Sequence, residues 1–189
     1  MSTRQEAAGE DPPIESREDL IAVFAKGEKP RDRWRIGTEH EKFVYRTADR
    51  RAPSYEEPGG IRDLLAGLTR FGWEPVYEGG KVIALSGADG AVSLEPAGQL
   101  ELSGAPLENI HQTCAETHRH LAQCKIVGDE LGLAFLGLGL WPDKTREELP
   151  VMPKGRYDIM LRHMPRVGAL GLDMMLRTCT IQTNLDYAS

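Results

Sequence analysis

Apolar and polar positions along this chain follow two periods, one near 3.6 residues and one near 2. Ser16 and Asp19 have the spacing of a capping box ahead of Leu20, Ile21, Val23 and Phe24, which predicts a helix over 16–26 stopped by Gly27 and Pro30. Trp34 to Tyr45 is strand-like, and 46–60 is a loop rich in Arg, Pro, Glu and Gly. Ile61, Leu64, Leu65 and Leu68 form one stripe, predicting a helix over 61–71 with Gly72 as its stop. Strands are predicted at 73–78 and 81–86 around Gly79-Gly80, a hairpin signal because both positions accept positive φ. A turn at 88–90 leads to a strand over 91–95; Pro96-Ala97-Gly98 breaks or bulges it, and 99–103 resumes. Strand–turn–strand at this spacing argues for an antiparallel meander rather than βαβ units.

The longest helix is predicted from near Pro106 to about Leu131, burying Leu107, Ile110, Cys114, Thr117, Leu121, Cys124 and Leu131. An apolar strand over 133–140, a Pro-rich loop over 141–153, a short helix over 156–164 ended by Pro165, and a long strand over 172–187 complete the reading. The class is α+β.

Composition narrows this picture. The chain has 189 residues, 40% of them hydrophobic, which suits one domain able to fold without disulfide or metal staples. Residues 1–15 read as a disordered arm, leaving 16–189 for the domain. Asp+Glu number 29 against 23 Lys+Arg, a net charge of −6, which argues against nucleic-acid binding. No apolar run approaches a membrane span, and the polar start has no signal-peptide core. The three cysteines form no CxxC pair, so a reducing cytosol and a cytoplasmic location are the expectation.

Three segments could carry chemistry. In Ile36–Val44, strand alternation puts Glu39 and Glu41 on one face, where two carboxylates repel unless a cation lies between them. A hard dication with oxygen ligands is the natural compensation; a solvated edge strand is the alternative. In Ser93–Gly104, Glu101 stands opposite an apolar face and Glu95 has matching parity if the Pro-Ala-Gly break keeps register. Beside the first strand these would make four converging carboxylates, fit for magnesium with nucleotide phosphates; a surface strand with a bulge is the alternative. In Arg177–Asp186, even positions carry Thr178, Thr180, Gln182, Asn184 and Asp186, a polar row that suits a site wall or an ordinary half-exposed strand. His111, Cys114 and His118 share a helix and are assigned to packing rather than to metal. CxxC, HExxH and GxSxG patterns, a dinucleotide fingerprint and a P-loop are all absent.

Arg35–Tyr45 (RIGTEHEKFVY), Gly79–Gly104 and above all Lys154–Ala188, in this order, resemble the glutamate–cysteine ligase family in its plant and proteobacterial branch. The resemblance implies a glutamine-synthetase-like fold, a curved, mainly antiparallel sheet with outer helices. It also implies ATP-dependent joining of the glutamate γ-carboxylate, through an acyl phosphate, to the amine of cysteine, the first step of glutathione biosynthesis. Glu39, Glu41 and Glu101 are then the catalytic candidates, with Glu39, Glu41, Glu95 and Glu101 as magnesium ligands near ATP. Arg177, Thr178, Gln182, Asn184, Arg156 and Tyr157 are the substrate-binding candidates, Arg177 for a carboxylate. Members of the family are about twice this length or more, so 16–189 is expected to be the N-terminal part of the catalytic domain, its sheet incomplete and open to self-association. Two alternatives remain: a catalytically silent chain that binds nucleotide or a partner, and a ligase using another amine.

Overall fold

The computed structural model describes residues 13–88 and 90–189. Most of the expected arm lies outside the described residues. Its core is a sheet of seven strands: β1 (Ile36–Arg46), β2 (Glu74–Glu78), β3 (Lys81–Gly87), β4 (Gly90–Leu94), β5 (Leu100–Ser103), β6 (Leu133–Leu136) and β7 (Ile181–Leu185). The order is β2-β3-β4-β5-β1-β6, with β7 also on β1, and every pairing is antiparallel. Strands β2 to β4 are the meander expected from the turns, and β5 extends it by a further reversal; at the first hairpin Gly79 and Gly80 have φ of 56° and 77°. The long β1 joins local and distant chain: its first half pairs with β5 and β7, its second with β6.

Among the described residues, five helices accompany the sheet: α1 (Arg17–Lys26), α2 (Ile61–Leu68), α3 (Ile110–Leu131), α4 (Gly155–Val167) and α5 (Gly171–Arg177). The capping box at Ser16 and Asp19 starts α1, and Gly72, at φ 90°, ends the short turn after α2. Register divides the sheet into two faces. On one, Leu85, Val92, Leu94, Leu100, Leu102, Lys42 and Val44 are buried, in one core with Ile61, Leu64, Leu65 and Leu68 of α2. The other carries Ser93, Glu101, Glu41 and Glu39 in adjoining rungs.

Five expectations are corrected. Residues 172–187 are not one strand: 171–177 wind into α5, because Met175 and Leu176 bury one helical face and Arg177 bonds Asp173 one turn back at 2.9 Å. Helix α4 runs two residues beyond Pro165, since a proline in the last turn costs one backbone bond without ending the helix there. Helix α3 begins at Ile110, not at 106, because Leu107 exchanges backbone bonds with Ile36 at 2.7 and 2.8 Å while Asn109 caps His111 and Gln112 at 3.1 Å. Its buried face is Glu116, His120, Cys124, Val127 and Gly128; Ile110, Leu121 and Cys114 are exposed. The Glu116 carboxylate accepts the Ala105 N–H at 2.8 Å, so a main-chain need turns a polar residue inward. Strand β6 stops at Leu136, and Leu140 then bridges Thr178, with the Cys179 N–H donating to the Gly139 carbonyl at 3.3 Å and the Trp141 N–H to the Arg177 carbonyl at 2.8 Å.

Candidate active site

The Pro96-Ala97-Gly98 break is a hairpin turn. The Glu95 N–H donates to the Gln99 carbonyl and the Gly98 N–H to the Glu95 carbonyl, both at 2.9 Å, with Gly98 at φ 86°. Strands β4 and β5 therefore lie antiparallel, and Glu95 stands at the turn, two residues beyond Ser93 on the same face. In the neighbouring pair Glu41 is directly opposite Glu101. These placements bring one carboxylate oxygen from each of Glu41, Glu95 and Glu101 within 4.8 Å of one another.

Glu101 is wholly buried and accepts a hydrogen bond from Ser103 Oγ at 2.5 Å. Glu41 is half-buried and accepts from the Thr180 N–H at 2.8 Å and its hydroxyl at 3.0 Å. Glu95 faces the Arg156 guanidinium at 3.3 Å. Burial first, then the charge on Glu101, pushes the Glu95 carboxyl up to about 7, against the opposing pull of Lys154 and Arg156. Burial also raises Glu41, partly offset by the two Thr180 donors. Carboxylate oxygens gathered this closely and largely out of solvent suit a bound dication, and an all-oxygen set of this kind fits magnesium.

Glu39 is one rung farther along the same face, opposite Ser103 and Gln182, and accepts from Asn184 Nδ2 at 3.3 Å; its carboxylate is not part of the triad. Gln182 and Asn184 are exposed beside it, as the strand alternation implied, with Gln182 Nε2 donating to Asn184 Oδ1 at 3.0 Å. Three candidates have other partners. Arg177 ends α5 in an ion pair with Asp173 at 2.9 Å, and Thr178 Oγ1 donates to the Met174 carbonyl at 2.6 Å. Tyr157, expected on a substrate wall, is 1% exposed and donates its hydroxyl to the Leu94 carbonyl at 2.6 Å. Arg156 is partly exposed and faces the triad. His111, Cys114 and His118 are exposed on α3 rather than packed; Cys114 Sγ lies 3.4 Å from His118 Nδ1.

Sequence reasoning passed over Thr180, Lys42 and Lys154. Thr180 belongs to the polar row of 177–186, and strand alternation puts Lys42 on the face of Val44, where an inward lysine is a signal in itself.

Comparison with known proteins adds a decisive observation. The sequence model of glutamate-cysteine ligase family 2 (GCS2) matches residues 35–189. The chain belongs to this family. It is 57% identical over 175 residues to the chloroplastic glutamate–cysteine ligase of Arabidopsis thaliana, covering 92% of this chain and 33% of the relative. The chloroplastic enzyme of Brassica juncea matches at 56% over the same share of this chain and 34% of its own length, and enzyme A of Oryza sativa subsp. japonica at 53% and 35%. The chain thus spans about a third of the length of these relatives. The expectation of a cytoplasmic location is overturned, because the matched relatives are named chloroplastic.

Proposed function

We propose that this chain carries the metal- and phosphate-facing part of a glutamate–cysteine ligase active site, on a sheet of glutamine-synthetase-like form. The observation that carries the reading is the convergence of Glu41, Glu95 and Glu101 from two strands and a turn. The reaction is the ATP-dependent joining of the glutamate γ-carboxylate to the cysteine amine through an acyl phosphate, with release of ADP and phosphate. Glu41, Glu95 and Glu101 would hold magnesium, which when bound offsets negative charge on the phosphoryl group. Burial pre-organises Glu101, and the Thr180 donors hold both oxygens of Glu41, so the acidic face is set before ligands arrive. Arg156 supplies the cation for an anionic group at this face, and Gln182, Asn184 and Glu39 form its polar continuation. Arg177 and Thr178 act from α5 by orienting the chain that leads into β7.

Calorimetry with ATP and magnesium on the 189-residue chain tests the nucleotide reading, with Glu41→Gln and Glu101→Gln each expected to lose the magnesium-dependent binding. Binding that both variants retain would remove the triad from the site. ADP release measured with glutamate and a panel of amines then tests the acceptor. Cysteine-dependent release supports the ligase assignment, and preference for another amine would reassign it.

A further inference from the structure

Two lysines lie almost wholly out of solvent beside the triad: Lys42 is 1% exposed and Lys154 is 3% exposed. Burying an ammonium is costly, and an unbranched apolar side chain would fill the same space without that cost. Their bonds show a common pattern. Lys42 Nζ donates to the His40 carbonyl at 2.7 Å and to the Leu100 carbonyl at 3.3 Å. Lys154 Nζ donates to the Leu94 carbonyl at 2.6 Å, where the Tyr157 hydroxyl also arrives at 2.6 Å. His40, Leu94 and Leu100 are the residues immediately before Glu41, Glu95 and Glu101. A carbonyl oxygen and the following N–H belong to one planar peptide unit, so holding that oxygen fixes the unit from which the next Cα projects its side chain.

We propose that Lys42 and Lys154 are positioning residues for the acidic triad: through three backbone carbonyls they hold the peptide units that carry Glu41, Glu95 and Glu101. This rests on the reading of the triad as a divalent-metal site. Lys42 spans β1 and β5 at the rung where Glu41 and Glu101 oppose each other, a like-charge pair that otherwise pushes the strands apart. Lys154, from the loop before α4, pins the end of β4 where the chain turns at Glu95.

The test is Mn2+ binding followed by electron paramagnetic resonance on the whole chain, which reports affinity and the symmetry of the metal environment. Lys42→Met and Lys154→Met are each expected to weaken Mn2+ binding by about tenfold or more, the usual cost of losing a group that orients ligands, and to broaden the bound signal. Leu65→Ala, a core truncation in α2, is the stability control and should bind like the wild type. Wild-type affinity in the folded lysine variants overturns the proposal. If those variants do not fold, Lys42→Gln and Lys154→Gln, shorter neutral donors, decide: a several-fold loss of Mn2+ affinity supports the positioning role, and unchanged binding overturns it. Failure of the metal-site reading looks different: the wild type and Glu101→Gln would then bind Mn2+ equally poorly.

Discussion

At the scale of single residues, buried polar groups set the behaviour of this molecule more than its apolar ones do. His120 is buried under α3, its Nε2 lying 3.3 Å from Cys124 Sγ, and burial, with the charges of Lys42 and His40, pushes its pKa down to about 2. The native state therefore refuses a proton that the unfolded chain accepts near pH 6.5. The stability His120 contributes is present above that pH and falls by up to ~1.4 kcal/mol per unit as pH drops from about 6.5 toward 2. Glu95 has the opposite sign: with its folded pKa raised to about 7, its contribution is full below about 4.5 and is lost as pH rises through 7. Urea titrations from pH 4 to 8 on the wild type and His120→Gln separate the two, and the difference curve should slope only on the acid side. At the β4–β5 turn, Gly98→Ala places a side chain at φ 86°, with its Cβ 3.3 Å from Met152 and 3.4 Å from Ile61. The expected cost is about 1–2 kcal/mol in urea denaturation, with weaker metal binding because Glu95 shares that turn.

At the scale of elements, each helix is decided by what its ends and inward face must satisfy. Asn109 caps α3 while the preceding residues are tied to β1, so Asn109→Ala should lower stability by about 1 kcal/mol without moving the sheet. Urea midpoints with unchanged denaturant slope would show that result. The period of the apolar residues in α3 does not reveal its inward face. Ile110 and Leu121 are exposed, whereas Glu116 and His120 are buried, Glu116 because the Ala105 N–H needs an acceptor and Gly104 leaves room for its carboxylate. For α5, the sequence reads as the start of a strand over 172–187, and burial of Met175 and Leu176 in the core makes 171–177 a helix instead. By contrast, α2 and the β2–β3 hairpin follow directly from a four-residue stripe and a Gly-Gly pair.

At the scale of the whole molecule, one face of the sheet is paid for by apolar burial and the other is kept for charge. β7 continues only the polar face, its polar row beside Glu39, while its apolar residues Ile181 and Leu185 are exposed at 71% and 68%. Binding of a dication to the folded state alone couples the triad to global stability. At a hundredfold excess of Mn2+ over its dissociation constant the gain is ~2.7 kcal/mol, which for a chain of this size raises the unfolding midpoint by roughly 5–11 °C. Differential scanning calorimetry should show that rise in the wild type and its loss in Glu101→Gln; an equal rise in both would place the metal elsewhere.

The sequence alone determined the α+β class, the meander, the sharing of one strand face by Glu39 and Glu41, and the family resemblance, because these depend on local period, turn residues and motif order. It also held Glu95 and Glu101 as candidates while leaving their relation open, since a Pro-Ala-Gly break can be a bulge or a reversal. Only the tertiary structure decided that the break reverses the chain, that Glu41 rather than Glu39 meets Glu95 and Glu101, and that Tyr157, Lys42 and Lys154 lie behind them. The physical reason is that β1 draws its partners from residues about 60 and 140 positions away, and no local pattern encodes the rung at which such distant strands meet.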